Sequence, residues 1–290
     1  MDWLEVSVET DREMAEAVSE VLSRYAPQGV ALDLGDDPQS NRVIVRAYLA
    51  DDGALESRKR QIEEALWHLG QIRPLPAPTF RLIADRDWTA GWKESIPILH
   101  IGQRIVIKPS WREYTPQAGE VVLELDPGLA FGTGLHPTTR LCLEALETHV
   151  ADGMRVLDLG SGTGILALAA AKLAQVEVLA VDNDQNAVVA TRRNARRNGV
   201  SARVRPLHGS LADVSGTYDL ILANLLAPIL IRMAQDRGLA TRLKPQGRLI
   251  ASGVLVEQGD EVAAAFEANG LEVVERRREE DWLALIARRK

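Results

Sequence analysis

The chain has 290 residues, 46% hydrophobic and 26% charged, the balance of an ordinary soluble globular protein of one or two domains. Its single cysteine, Cys142, excludes an internal disulfide and a cysteine-built metal centre, and no metal site is expected. The net charge of −7 is uneven: residues 1–84 hold 9 Lys+Arg against 15 Asp+Glu, and residues 85–290 hold 25 against 26.

Excess acid in the first segment argues against nucleic acid as its partner and suits a basic protein. The opening MDWLEVSVET has neither a basic start nor an apolar core, so no signal peptide is expected. No apolar run approaches the roughly 20 residues that cross a bilayer. A cytoplasmic enzyme without a membrane partner is therefore expected.

Trp3 to Glu9 alternates as a half-buried strand, and Asp11 to Tyr25 has helical spacing after a cap at Thr10. Val30–Leu34 and Arg42–Leu49 read as strands, Ala54–Leu69 as a second amphipathic helix, and Thr79–Ala84 as a fourth strand. The order βαββαβ is that of a split-βαβ, ferredoxin-like module. Its boundary is placed near Asp85, and 85–97, with Trp88 and Trp92 four apart, reads as a linker helix region.

Ile98 to Trp111 reads as a hairpin turning at Gly102-Gln103, and Val121 to Leu125 as a strand. Then comes DPGLAFGTGLHPTTRL, Asp126 to Leu141. Gly128, Gly132 and Gly134 make it flexible, and Phe131 gives it an apolar tip suited to closing over a ligand. Pro137-Thr138-Thr139 begins a helix through Glu147. His136 is a conceivable base, but a loop-structuring role is the preferred reading.

Arg155 to Gly164, RVLDLGSGTG, is the centre of the chain. A short buried strand with one acid, Asp158, breaks into Gly160, Gly162 and Gly164, and Ile165 to Leu173 follows as an Ala- and Leu-rich helix. The next strand, Val176 to Asp182, ends in an acid placed to accept ribose hydroxyls. Isoleucine at 165, where a dinucleotide fingerprint wants glycine, speaks against an NAD-dependent dehydrogenase. A purely structural turn, or an adaptor that senses cofactor without chemistry, are the blander alternatives.

The remaining elements complete an α/β sheet domain over 98–290. Helix Gln185–Asn198, stopped by Gly199, carries Arg192, Arg193, Arg196 and Arg197, read as a solvated basic face. Strands follow at Arg203–Pro206, Tyr218–Ala223 and Gly247–Ser252, with helices at Leu225–Arg237 and Gln258–Asn269. Leu271–Arg277 and Trp282–Arg288 close the sheet as an edge hairpin. Gly160, Asp182 and Asn224 thus fall at carboxyl ends of strands. A nucleoside with an amino-acid tail fits them: glycine-loop amides for the tail carboxylate, Asp182 for the ribose, and Asn224 for a reacting group.

VLDLGSGTG and VLAVD resemble the class I S-adenosylmethionine-dependent methyltransferases. LDPGLAFGTGLHPTT, AVDND and ANLLAPIL resemble, in order and spacing, the bacterial family that methylates ribosomal protein L-eleven (L11). The resemblance runs the length of the chain. It implies a Rossmann-like seven-stranded domain behind a substrate-recognition module. It also implies S-adenosylmethionine as cofactor, contacted by Thr139, Gly160, Asp182 and Asn224, with transfer to lysine and N-terminal amines of a basic ribosomal protein. No direct nucleic-acid binding is expected, with methylation of another protein or of RNA as the alternative. Leu225, Leu226 and Ala227 after Asn224 provide no aromatic platform for a planar amide or base, which favours a flexible aliphatic amine.

Overall fold

The computed structural model describes residues 3–26, 30–33, 42–50, 55–71, 74–83, 98–125, 136–236 and 238–290. Phe131 with Gly128, Gly132 and Gly134, and the expected linker helix with Trp88 and Trp92, lie outside the described residues. The chain divides into two compact units, Met1–Ile96 and Pro97–Lys290.

The first unit runs β1 (Trp3–Asp11), α1 (Arg12–Ser23), β2 (Val30–Asp33), β3 (Arg42–Ala50), α2 (Leu55–Gly70) and β4 (Thr79–Ile83). Its sheet has the order β2-β3-β1-β4 with every pairing antiparallel. Alternation puts Leu4, Val6 and Val8 of β1 on one face, where they pack with Val18 and Leu22 of α1 and Ile62 and Leu66 of α2. The cap of α1 is Asp11, not the expected Thr10: β1 continues one residue further, and Asp11 Oδ1 accepts the Met14 N–H at 2.9 Å.

The second unit begins with a small sheet. β5 (Leu99–Ile101) and β6 (Ile105–Lys108) form the expected hairpin, and β7 (Val121–Glu124) adds parallel to β6. Then follow α3 (Pro137–His149), β8 (Arg155–Leu159), α4 (Ile165–Leu173), β9 (Glu177–Asp182), α5 (Gln185–Arg197), β10 (Val204–His208) and β11 (Tyr218–Asn224). α6 (Ala227–Gln235), α7 (Gly238–Arg242), β12 (Leu243–Leu255), α8 (Gly259–Ala268), β13 (Leu271–Glu279) and β14 (Trp282–Arg289) complete it.

The large sheet has the order β10-β9-β8-β11-β12-β14-β13. Its first five strands are mutually parallel, and β14 enters antiparallel to both neighbours. Parallel strands buried on both faces read as unbroken apolar runs, and β8 shows why. Val156 points into one core with α3 and α4, whereas Leu157 and Leu159 point into another with α6 and α8. Helix α4 is buried from Ile165 through Ala171, which explains its near-total lack of polar residues.

Two differences from the sequence reading in this unit have a visible cause. The helix expected from Leu225 begins at Ala227, because the Leu225 N–H still donates to Ser252 O at 3.0 Å and Pro228 suits the first turn. The strand expected over Gly247–Ser252 spans Leu243–Leu255. It stays pressed against the β11 end at Gly253 (φ +86°), where a Cβ would collide with the Leu225 carbonyl.

Asn198, just past α5, holds the small sheet in place. Its Oδ1 accepts the Glu124 N–H at 2.8 Å, and its Nδ2 donates to Glu124 O at 2.8 Å and to Asn194 O at 2.9 Å. Both backbone groups of the last β7 residue are thereby satisfied.

Candidate active site

The centre of the sheet places the expected residues on adjacent strand ends. β8 lies between β9 and β11, so Gly160, Asp182 and Asn224 follow three neighbouring strands at their carboxyl edge. Gly160, Gly162 and Gly164 all have positive φ, at +69°, +54° and +84°, which L side chains rarely adopt. At Gly160 a Cβ would stand 2.5 Å from Leu225 Cδ2, so glycine also admits the chain that follows Asn224.

Four amides of the glycine turn are spent inside the protein. Gly160 and Ser161 donate to Val181 O at 2.8 and 3.1 Å, Gly162 to Asp182 Oδ2 at 2.8 Å, and Gly164 to Ser161 O at 2.7 Å. Their part is to shape the turn and aim α4's positive dipole end at its mouth.

Asp182 is half-buried. Its Oδ2 accepts from Gly162 and its Oδ1 from the Asp184 N–H at 2.9 Å. These bonds fix the carboxylate plane and leave each oxygen a second lone pair, as two neighbouring hydroxyls require. On the other side, Asn224 Nδ2 donates to Thr139 Oγ1 at 3.3 Å. That bond joins the β11 end to the first turn of α3 and brings two expected residues together. With its nitrogen so engaged, the Asn224 amide has its carbonyl oxygen available as an acceptor.

His136 is the N-cap of α3. Its Nδ1 accepts the Thr138 N–H at 3.3 Å and lies 2.8 Å from Thr138 Oγ1, and its ring meets Trp282 edge-on at 4.8 Å. Burial lowers its pKa, against an opposing pull from Glu280. A lowered value means the folded state favours the neutral ring. The cap is therefore intact above the ordinary histidine value of 6.5 and is lost as pH falls below it, when Nδ1 becomes a donor. His136→Asn, which keeps a capping acceptor, is expected to retain turnover and to flatten the loss of thermal stability between pH 6.5 and 5. Loss of turnover with stability unchanged would instead make His136 the base.

Asp158, which the sequence shows only as a tolerated strand acid, has a larger part. It is 1% exposed, its Oδ2 accepts the Ala167 N–H at 3.1 Å, and its Oδ1 has no partner. Burial pushes its pKa up to about 7, with Asp182 adding to the rise and the Ala167 bond opposing it. Beneath the turn, Thr191 Oγ1 donates to Gly162 O at 3.0 Å and Asn194 Nδ2 to Thr163 O at 2.9 Å. Asp158, buried with one oxygen unpaired, thus lies close enough to Asp182 for the second acid to raise its pKa, and the two gather negative charge beside the glycine turn. That suits a ligand with two positive charges, such as the sulfonium and ammonium of S-adenosylmethionine. Among the described residues no group of His, Cys, Asp and Glu could hold a metal ion.

A family model described as ribosomal protein L11 methyltransferase (PrmA) matches residues 2–290. The chain belongs to that family. A ribosomal protein L11 methyltransferase from Chloroflexus aurantiacus is 47% identical over 99% of this chain and 98% of its own. One from Herpetosiphon aurantiacus is 44% identical over 100% and 99%. The solved structure of a ribosomal protein L11 methylase from Lactobacillus delbrueckii is 35% identical, with a TM-score of 0.62, and covers 67% of this chain and 98% of that one. The family uses S-adenosylmethionine, in keeping with the pair of acids beside the turn.

Proposed function

We propose that the chain transfers methyl groups from S-adenosylmethionine to lysine side-chain and N-terminal amines of ribosomal protein L11, in the cytoplasm. The observation that carries this is the Asn224–Thr139 bond at the end of β11, with no aromatic residue in the three positions that follow. An amide carbonyl near these two acids suits an amine donor, and Leu225, Leu226 and Ala227 offer no ring to stack on a planar base.

The cofactor supplies a methyl group made electrophilic by its sulfonium. Asp182 would hold the ribose, Thr139 would fix Asn224, and Gly160, Gly162 and Gly164 would shape the floor. Phe131 would cover the ligand from its loop. The Asn224 carbonyl would accept an N–H of the incoming amine and aim the nitrogen lone pair at the methyl carbon. Only the neutral amine is nucleophilic, and its free pKa is about 10.4. Positioning beside a cationic centre in a partly dry site favours that neutral form.

Residues 1–84 would recognise the ribosomal protein, 85–97 would link, and 98–290 would catalyse. The excess acid of the first segment complements a basic partner. No helix among the described residues is long and apolar enough to cross a membrane. The test is mass spectrometry of purified L11 after incubation with the enzyme and methyl-labelled S-adenosylmethionine. Label on lysine and N-terminal amines, lost when residues 1–84 are deleted while cofactor still binds, is the expected outcome. Label on another protein or on RNA, with L11 unlabelled, would overturn it.

A further inference from the structure

The sequence from Gln185 to Ala212 contains six arginines and no acidic residue, in a chain whose net charge is −7. Four of these arginines line one cleft of about 910 Å³ in the second unit. Arg192 and Arg196 are four apart on α5, and Arg203 and Arg205 alternate at the start of the edge strand β10. Arg155, which begins β8, makes a fifth. The first residues of β8, β9 and β11 line the cleft, so it opens beside the amino ends of the strands. The candidate active site lies at the carboxyl ends.

The cleft is strongly unbalanced in charge. Its carboxylates are Glu177 and Asp213. Asp213 is already engaged, since its Oδ2 accepts from the Ser210 N–H at 2.8 Å and from Ser210 Oγ at 3.0 Å. Among the described residues, no carboxylate pairs with Arg192, Arg196 or Arg205. Arg203 is held by bonds from one guanidinium nitrogen to Ala174 O at 3.0 Å and Gln175 Oε1 at 3.1 Å.

Arg155 has a different geometry. Its guanidinium carbon lies 5.1 Å from the centre of the Tyr218 ring, and one nitrogen donates to Thr217 O at 3.1 Å. The group is a held planar cation on an exposed residue, with Tyr218 buried beneath it. A guanidinium plane of this kind stacks on a nucleobase, whereas an acidic peptide gains nothing from it. Guanidinium forks also match phosphate oxygens in pairs.

We propose that this cleft binds single-stranded RNA, with Arg192, Arg196, Arg203 and Arg205 on successive phosphates and a base stacked on Arg155. This departs from the expectation of no direct nucleic-acid binding and from the reading of Arg192, Arg193, Arg196 and Arg197 as a solvated face. Because the cleft faces away from the chemistry, RNA held there leaves the methyl-transfer site open.

The probe is a fluorescein-labelled 12-nucleotide single-stranded RNA, read by anisotropy with the full chain. With about four phosphate contacts, affinity is expected to fall about 50-fold between 50 and 200 mM salt. Arg192→Ala combined with Arg205→Ala should weaken binding at least about tenfold and flatten that salt dependence. Arg155→Lys keeps the charge and removes the plane, so it should weaken binding with the salt slope unchanged. Absence of binding at 50 mM salt overturns the proposal. So does an equal loss from the control pair Arg242→Ala with Arg278→Ala, or tighter binding of poly-glutamate than of RNA. An Arg155→Lys variant that binds like the parent overturns the stacking.

Discussion

Asn224→Ala is expected to lower kcat by about 100-fold or more and to change the dissociation constant for S-adenosylmethionine by less than about threefold, the pattern of an interaction made chiefly in the transition state. Asn224 ends β11 in register with Ser252 of β12, and the residue before it, Ala223, is still paired with Leu159 of β8. Its Nδ2 bond to Thr139 Oγ1 fixes the amide further. Truncation removes the acceptor that would orient the amine, yet leaves Asp182 and the glycine turn as they are. Isothermal titration separates the two quantities from turnover. Equal losses in affinity and kcat would show that Asn224 only binds cofactor. Asn224→Asp is the informative companion. A carboxylate there would favour the protonated amine, so its activity should recover only as pH rises. Thr139→Val should fall between parent and Asn224→Ala, because it frees the amide without removing it.

The strand, glycine turn, helix and terminal acid are legible in the sequence because each part has its own local signal: an apolar run, positive-φ residues, helix formers and an acid at a strand end. The alternation of strands and helices likewise points to the sheet domain. The supports beneath the turn are less visible. Thr191, Asn194 and Asn198 recur at helical spacing on and just past α5, and each bonds to main chain of another segment. In sequence, a polar stripe on a charged helix looks like more solvated surface; only its burial shows it to be the inner face. The same helix hides the cleft, since arginines on β10 come together with those of α5 only through the crossover. Leu225 reads as helix because its neighbours are helix formers, but its N–H is committed to Ser252. Asp158 stands out as an acid in an apolar strand, and sequence gives no measure of whether such an acid has partners for both oxygens.

That missing partner has a large consequence. Asp158→Asn is expected to stabilise the ligand-free protein by several kcal/mol at pH 8, by less than half as much at pH 5, and hardly at all below pH 3.8. The carboxyl is 1% exposed, one oxygen is unpaired, and burial raises its pKa from 3.8 to about 7. A raised value in an acid means that the folded state favours the proton. Its stabilising contribution is thus complete below 3.8 and is lost as pH rises through about 7, at about 1.4 kcal/mol for each pH unit between the two values. Asparagine keeps an acceptor for the Ala167 N–H and carries no charge to bury, which costs less than an unpaired carboxylate. Cofactor reverses the balance. A sulfonium and an ammonium bound near the two acids would favour the ionised form of Asp158, so binding near pH 7 should release about half a proton. Calorimetry in buffers of different ionisation enthalpy measures that release directly, and Asp158→Asn should abolish it. The parent should bind S-adenosylmethionine more tightly at pH 8 than at pH 6, and the variant equally at both. Matching pH–stability curves for parent and variant would mean that Asp158 is ionised throughout. Both acids would then be charged before any ligand arrives, and the cofactor would gain its affinity without a proton leaving.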